Sequence, residues 1–321
     1  MGGGMPDIKE LKSRTTTRAT QSMDEIMNRH GLHELMNPHG IVARECLASD
    51  TNPHPLPILF ALDTTGSMGV LPRRLVKNDL IHVLERLTLM GAAKHFQPQI
   101  CFSGIADTQD TAPCQIGQFE ADNRMDDWLT KIYLDGGSGS AAMHEAYYLT
   151  LYALARKTKC DIWQQGGKGI ALIAGDEKCP RVVPRQVIAQ VFGDKLDRDL
   201  KVQDLIAEVR EKWHLYFLYV ATEAYGRENV EPIWRSWQEL LGDHAIRLDT
   251  QATAVPEIVA SLVGISVGAF EAVDVPKDLR ELGCDAAVIT AVARALNVPD
   301  GLPSDEPERA SKRQRRGPAP A

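Results

Sequence analysis

Short, wholly apolar runs separated by segments with helical periodicity constrain the fold of this chain more than any other feature. Residues 57–62 (PILFAL) form such a run, and its length and composition are typical of a strand buried on both faces of a parallel sheet. In residues 75–90, apolar side chains recur at intervals of three and four, which predicts a helix with one buried face. Because parallel strands need crossover helices, the pattern predicts a doubly wound α/β fold with a mostly parallel central sheet flanked by helices.

The same alternation continues to about residue 270. Further strands are predicted at residues 99–106, 115–119, 168–174, 214–221 and 245–249. Further helices are predicted at residues 122–133, 141–157, 182–191, 202–213, 230–241 and 255–270. We therefore expect a single Rossmann-like domain over residues 55–270.

The segments on either side of this domain have a different composition. Residues 1–54 are polar and predict an N-terminal arm, with one short helix over residues 23–35. Residues 271–298 predict a C-terminal helical extension, a hairpin interrupted at Gly283. Residues 299–321 are rich in proline, glycine, serine and charge, which indicates a disordered basic tail.

Charge and cysteine usage narrow the class of protein. The 321 residues contain 36 Lys and Arg against 43 Asp and Glu, a net charge of −7, which argues against nucleic-acid binding by the body of the protein. Only the tail carries a basic cluster that suits nucleic acid: Arg309, Lys312, Arg313, Arg315 and Arg316. The six cysteines are scattered without a CxxC motif, which indicates free thiols in a reducing compartment.

Membrane and export signals are not expected either. No apolar run approaches the roughly 18–20 residues that span a bilayer. Residues 1–10 lack the apolar region of a secretory signal. The sequence therefore predicts a cytoplasmic protein that makes no membrane contact.

The loop after the first core strand offers ligands for a metal ion. Its sequence is DTTGS, residues 63–67, with a carboxylate at Asp63 and hydroxyls at Thr65 and Ser67. Ligands of open α/β sheets bind beyond the carboxyl ends of the strands, which is where this loop lies. One carboxylate with hydroxyls is a hard-oxygen set that favours Mg²⁺, or Mn²⁺ or Ca²⁺, over zinc.

Two later loops add ligands of the same kind. Residues 136–140 (GGSGS) precede a predicted helix and carry hydroxyls at Ser138 and Ser140. Residues 174–177 (AGDE) end another predicted strand and carry a second carboxylate, Asp176. Because all three loops belong to the same edge of the sheet, we expect them to share one cation.

This arrangement resembles the von Willebrand factor A (vWA) domain and its metal-ion-dependent adhesion site (MIDAS). The resemblance covers residues 58–270. The second loop lacks the threonine of the family pattern, so a serine takes its place. The ligands that the resemblance implies are Asp63, Thr65, Ser67, Ser140 and Asp176, with Ser138 as the substitute for Ser140.

The chain is most similar to the bacterial and phage-type intracellular vWA proteins, which share its TGSM, EAYY and GDE segments. The resemblance implies a metal-dependent protein–protein interaction module rather than an enzyme, with a carboxylate of a protein partner completing the coordination of the ion. Some members work with MoxR-type AAA+ ATPases. Since this chain has no P-loop motif, such an ATPase would be a separate chain.

Other interpretations remain open at this stage. The DTTGS loop also resembles the nucleophile loop of haloacid-dehalogenase-type phosphatases, which implies phosphoryl transfer with Asp63 as nucleophile and Asp176 holding Mg²⁺. That reading leaves Thr64 where a lysine is expected and Lys168 as a poor substitute. A structural or phage-assembly protein with an empty site is a third possibility, in which the loop hydroxyls only cap helices.

Overall fold

The fold was analysed in a computed structural model. It describes residues 5–68, 70–91, 96–134, 145–220, 229–248 and 254–302, without the side chains of residues 67, 70 and 71. The predicted basic tail lies outside these ranges from residue 303 onward. So do the GGSGS loop and the start of the helix predicted over 141–157.

A six-stranded sheet forms the centre of the molecule. The strands in chain order are β1 Arg44–Cys46, β2 Pro55–Asp63, β3 Gln97–Ile105, β4 Cys114–Ile116, β5 Thr158–Cys160, β6 Gly169–Gly175, β7 Val182–Val183, β8 Leu200–Lys201, β9 Trp213–Val220 and β10 Ala245–Leu248. The central sheet has the order β10-β9-β6-β2-β3-β4. All its neighbours are parallel except β4, which pairs antiparallel with β3. The predicted fold class, a mostly parallel α/β sheet, is confirmed.

Helices flank this sheet. In chain order they are α1 Ile8–Ala19, α2 Met23–Ile26, α3 Val70–Arg74, α4 Leu80–Leu89, α5 Arg124–Thr130, α6 Tyr147–Arg156, α7 Arg185–Phe192, α8 Val202–Lys212, α9 Val230–Leu241, α10 Val255–Ser266, α11 Val275–Glu281 and α12 Ala286–Ala295. Helix α4 packs against α10, and α6 packs against α8. Gly283 has a φ of +76° between α11 and α12, so the hairpin predicted there is interrupted where the sequence indicates.

The core strands are buried along their whole length, as their unbroken apolar runs predict. Every residue of β2 and of β6 is buried. On one face, Ile58 and Phe60 of β2 meet Leu80 and Val83 of α4 and Val259 of α10. All six cysteines are free thiols and five of them are buried, in agreement with the prediction. Within the described ranges, each helix is too short or too polar to span a lipid bilayer.

The helix predicted over residues 23–35 is wrong beyond its first turn. Only Met23–Ile26 is α-helical, and Glu34–Met36 is a single 3-10 turn. The backbone leaves the helix at Met27, whose ψ is 156°. The reason is tertiary: the amide of Asn28 donates to the carbonyl of Thr130 at 2.9 Å, which ties this segment to the end of α5.

Other predicted boundaries also differ from the structure, and strand pairing explains two of them. The strand expected at 115–119 is confined to Cys114–Ile116, which pairs with β3 in a continuous register. Beyond it, Glu120 makes only an isolated antiparallel bridge to Ile100 of β3. The helix expected at 182–191 begins at Arg185, since Val182–Val183 pairs with Leu200–Lys201 and Pro184 precedes the helix. Residues 75–79 are helical as predicted, but as a π-turn that leads into α4.

The N-terminal segment carries a helix that the hydrophobic pattern did not predict. Leu11 is the one buried residue of α1, so the helix has almost no apolar face to reveal it. Charge holds it to the body instead. Arg14 and Arg18 both bind the carboxylate of Asp126 on α5, whose side chain is only 3 % exposed, and the Arg14 contact is 3.0 Å long.

We predict that removing both arginines destabilises the protein. The double variant Arg14→Gln/Arg18→Gln leaves Asp126 buried without its counter-charges, which should lower the free energy of unfolding by about 3 kcal/mol. Urea denaturation measures the loss. Adding Asp126→Asn should recover part of it. The control is Lys12→Gln, also on α1, which breaks an ion pair with Glu85 of α4 near the surface and should cost less than about 1 kcal/mol. The account would be contradicted if the two arginine substitutions lowered the free energy of unfolding by the same amount with Asp126 as with Asn at position 126.

Candidate functional site

The predicted first and third loops meet at the point where the strand order of the sheet reverses. From β2 the chain builds outward to β3 on one side, and later to β6 on the other. Leu62 of β2 lies opposite Ala174 of β6 in a parallel register. Asp63 is the last residue of β2, and Asp176 directly follows β6. Because the two strands are parallel neighbours, both aspartates lie at the carboxyl-terminal edge of the sheet. Such reversal points are the usual ligand-binding positions of open α/β sheets.

Asp63 is fully buried and its two carboxylate oxygens have different donors. Oδ1 accepts from the backbone amide of Thr65 at 2.9 Å and from the Thr65 hydroxyl at 2.6 Å. Oδ2 accepts from the Tyr147 hydroxyl at 3.0 Å. The alternation of the loop explains this geometry, because Thr64 turns the other way and donates its hydroxyl to the carbonyl of Ile105 on β3 at 2.9 Å. Asp63 and Thr65 are therefore brought together as predicted.

Of the other predicted ligands, only Asp176 has a described side chain. Ser67 belongs to the 3-10 turn Gly66–Met68, but its side chain lies outside the described residues. Ser138 and Ser140 lie outside them entirely. Asp176 is fully buried and lies beside Glu177, so the third loop brings two carboxylates to this edge.

Tyr147 contacts the site, although the sequence analysis did not predict it as a site residue. It begins α6, where its ring makes edge contacts with Phe217 at 5.7 Å and Trp237 at 5.4 Å. Gly175 makes room for it, because a Cβ there would lie 2.1 Å from the tyrosine oxygen. Burial raises the pKa of Tyr147 well above its ordinary value, so its hydroxyl stays protonated and donates to Asp63. The EAYY segment was the available signal, but a buried tyrosine is ordinarily a core residue.

Four carboxyl groups influence one another at this edge. Burial raises the pKa of Glu145 to about 9, and the charges of Asp63, Glu177 and Asp176 push it in the same direction. Burial also raises the pKa of Asp63 to about 6, against the hydrogen bonds from Thr65 and Tyr147. The Oε2 atom of Glu145 is buried and has no hydrogen-bond partner among the described residues. We call Asp63, Glu145, Asp176 and Glu177 the acidic cluster.

The acidic cluster favours the approach of a cation. No Lys or Arg is among the leading influences on the pKa of Asp63 or of Glu145, and the hydrogen bonds that lower the pKa of Asp63 come from the neutral donors Thr65 and Tyr147. A divalent ion would relieve both the cost of burial and the mutual repulsion. Within the described ranges, however, no three His, Cys, Asp or Glu side chains are grouped closely enough to bind a metal by themselves. The predicted ligand set includes only two carboxylates, Asp63 and Asp176, and otherwise consists of hydroxyls, so it does not require a group of three such side chains.

The phosphoryl-transfer reading loses its candidate lysine. Lys168 precedes β6, at the amino end of the sheet, whereas Asp63 and Asp176 lie at the carboxyl end. The Lys168 ammonium donates instead to the carbonyl of Arg210 at 2.6 Å. It is therefore remote from any phosphoryl group on Asp63.

Comparison with known proteins leaves the family of this chain open. No protein-family model matches the sequence, and no curated protein matches it. Among solved structures, the chain is similar to two crystal structures of the pilus adhesin SpaC from Lactobacillus rhamnosus GG, one of them in an open conformation. Each has 10 % sequence identity to this chain and a TM-score of 0.45. The alignment covers 71 % of this chain and 32 % or 31 % of the adhesin. The chain thus spans about a third of the adhesin's length, and its function has to be inferred from its own residues.

We predict that Asp63→Asn stabilises the metal-free protein at neutral pH. Because the pKa of Asp63 is raised from 3.8 to about 6, the native state binds this proton more tightly than the unfolded state. The resulting stability is present below pH 4 and is lost as the pH rises through about 6. In EDTA the variant should gain on the order of 2 kcal/mol at pH 7.5 and little at pH 4.

Urea unfolding of both proteins at the two pH values measures this difference. The control is Asp204→Asn, which removes an exposed carboxylate on α8 and should show no such pH dependence. A gain of the same size at both pH values would show that Asp63 carries no buried charge.

Proposed function

We propose that this chain is a vWA-type, metal-dependent protein–protein interaction module with a MIDAS-like site. The proposed cation is Mg²⁺, with Mn²⁺ or Ca²⁺ as alternatives. Its proposed ligands are Asp63, Thr65, Ser67, Asp176 and a second-loop serine, Ser140 or its substitute Ser138. The observation that carries the proposal is the buried carboxylate of Asp63, which shares the acidic cluster with Asp176 and Glu177 without a cationic neighbour among its leading influences.

The contacts of Asp63 support a division of tasks within the site. Tyr147 holds Oδ2, which fixes the plane of the carboxylate. Oδ1 accepts a hydrogen bond from the Thr65 hydroxyl at 2.6 Å, and this short separation supports the proposal that the two oxygens share one ion. A bound divalent cation supplies positive charge and an open coordination position for an external oxygen ligand. Because three of the five proposed ligands are neutral hydroxyls, a hard cation at this site retains a preference for a further anionic oxygen donor, which favours a carboxylate as the external ligand.

The same contacts favour binding over catalysis. Both oxygens of Asp63 are engaged by hydroxyl or amide donors, and Lys168 lies at the other end of the sheet. We therefore propose a protein partner that supplies an acidic residue and no turnover of a substrate. A MoxR-type AAA+ ATPase on a separate chain is the partner class that the resemblance suggests.

Calorimetric titration of the purified chain with Mg²⁺ tests the site. We expect one ion per chain, and we expect Asp63→Asn and Asp176→Asn each to weaken binding by at least about tenfold. The matched control is Asp204→Asn, which changes the net charge equally and lies on the exposed face of α8. Unchanged Mg²⁺ binding in the two site variants would remove the basis of the proposal.

Affinity capture tests the interaction itself. The wild-type chain should retain its partner in Mg²⁺ and release it in EDTA, and Asp63→Asn should not retain it. Capture of the same partner by the variant in EDTA would contradict the proposal. Incubation with acetyl phosphate separates the enzymatic reading, because stoichiometric acyl-phosphate on Asp63 would favour phosphoryl transfer.

A further inference from the structure

A groove with a cavity of about 490 Å³ begins directly beside the third loop. One wall is the segment that follows Glu177, with Lys178, Pro180 and Arg181. The other wall is α9, with Arg235 and Glu239. The lining of the groove therefore begins at the residue that follows Glu177 of the acidic cluster.

Hydrogen bonds fix this groove relative to the site. The indole NH of Trp237 on α9 donates to the carbonyl of Glu177 at 2.8 Å, which joins the two walls at the end nearest the site. Farther along, Arg181 donates to the carbonyl and hydroxyl of Ser236 at 3.3 Å and to Glu239 at 2.8 Å. The two walls of the groove are thus held in fixed positions beside the third loop.

The charge of the groove is opposite to that of the acidic cluster. Its lining includes three cationic side chains and one acid, Glu239, which is paired with Arg181. Neither Lys178 nor Arg235 has a partner for its charged group within the described part of the chain. In a protein of net charge −7, two such cations at the edge of one groove form a local basic surface. We call this surface the basic groove.

We infer that the basic groove receives an acidic segment of the protein partner. The inference rests on the proposed function: one carboxylate of that segment reaches the cation at Asp63, and the carboxylates that follow pair with Lys178 and Arg235. Lys178 directly follows Glu177 of the acidic cluster in the chain, and an extended peptide advances about 3.3 Å per residue, so the proposed occupant is a short segment. The partner is thus recognised by a short run of Asp and Glu rather than by a single acid.

A protein segment suits this surface better than nucleic acid does. The phosphates of a nucleic acid would approach the acidic cluster as well as the groove, and the net charge of the chain repels a polyanion that extends beyond it. Two uncompensated cations match a few carboxylates, whereas phosphate tracking needs a longer basic surface.

Two labelled synthetic peptides test the inference by fluorescence polarisation in millimolar Mg²⁺. One is Gly-Asp-Glu-Asp-Glu-Gly and the other is Gly-Asp-Ser-Ser-Ser-Gly, which offers a single acid for the cation. We expect the wild-type chain to bind the four-acid peptide more tightly by on the order of tenfold, the effect of two exposed ion pairs. Raising the salt concentration should reduce this preference.

The double variant Lys178→Gln/Arg235→Gln should lose the preference and bind both peptides alike, with Mg²⁺ binding retained. The control Lys195→Gln/Arg198→Gln removes one exposed lysine and one exposed arginine that do not line the groove, and it should keep the preference. An unchanged preference in the groove variant would overturn the inference. So would an oligodeoxynucleotide that displaces the four-acid peptide from the wild-type chain at a lower concentration than unlabelled peptide.

The design separates the two proposals. Asp63→Asn should abolish binding of the single-acid peptide if the proposed function holds. If Asp63→Asn and EDTA leave both peptides bound while the groove variant still loses its preference, the cation function is overturned and the groove is retained as an acid-binding surface. If only the cation dependence is observed, the groove inference is overturned and the proposed function stands.

Discussion

Asp63 places a carboxylate at the end of a strand that is buried along its whole length, and much of the surrounding structure compensates for that burial. Thr65 and Tyr147 donate to its two oxygens. Tyr147 in turn needs the space at Gly175 and the ring contacts of Phe217 and Trp237. Residues of β6, β9, α6 and α9 are therefore organised around one acidic side chain. Neutral donors reduce the cost of this charge but do not cancel it.

The acidic cluster and the basic groove lie next to each other, yet they differ in what they can bind. The cluster is buried, so its electrostatic field is weakly screened and favours a small ion that can reach it. The groove is at the surface, where salt screens each charge and an ion pair contributes little affinity. A partner that used both would obtain its affinity mainly from the cation and its selectivity from the run of acids beside the first one.

The N-terminal segment shows how a polar sequence can still be part of the folded body. Helix α1 buries only Leu11, and hydrophobic periodicity could not reveal it. Its two arginines neutralise Asp126, a carboxylate that α5 buries almost completely. Since each partner is isolated in sequence from the other by more than a hundred residues, only the folded arrangement identifies them as a pair. The prediction of a helix over 23–35 was wrong for a related, non-local reason: the backbone amide of Asn28 donates a hydrogen bond to the carbonyl of Thr130 at the end of α5.

The sequence by itself determined the sheet, because continuous apolar runs such as residues 57–62 are typical of strands that are covered by helices on both faces. It also determined that Asp63 and Asp176 would follow strands of that sheet, which was enough to expect them at one edge. The adjacency of β2 and β6, the engagement of Asp63 by Tyr147 and the inclusion of Glu145 and Glu177 in the acidic cluster were decided by the tertiary structure. Strand order and burial are non-local properties, and they alone place these groups close enough to shift one another's pKa.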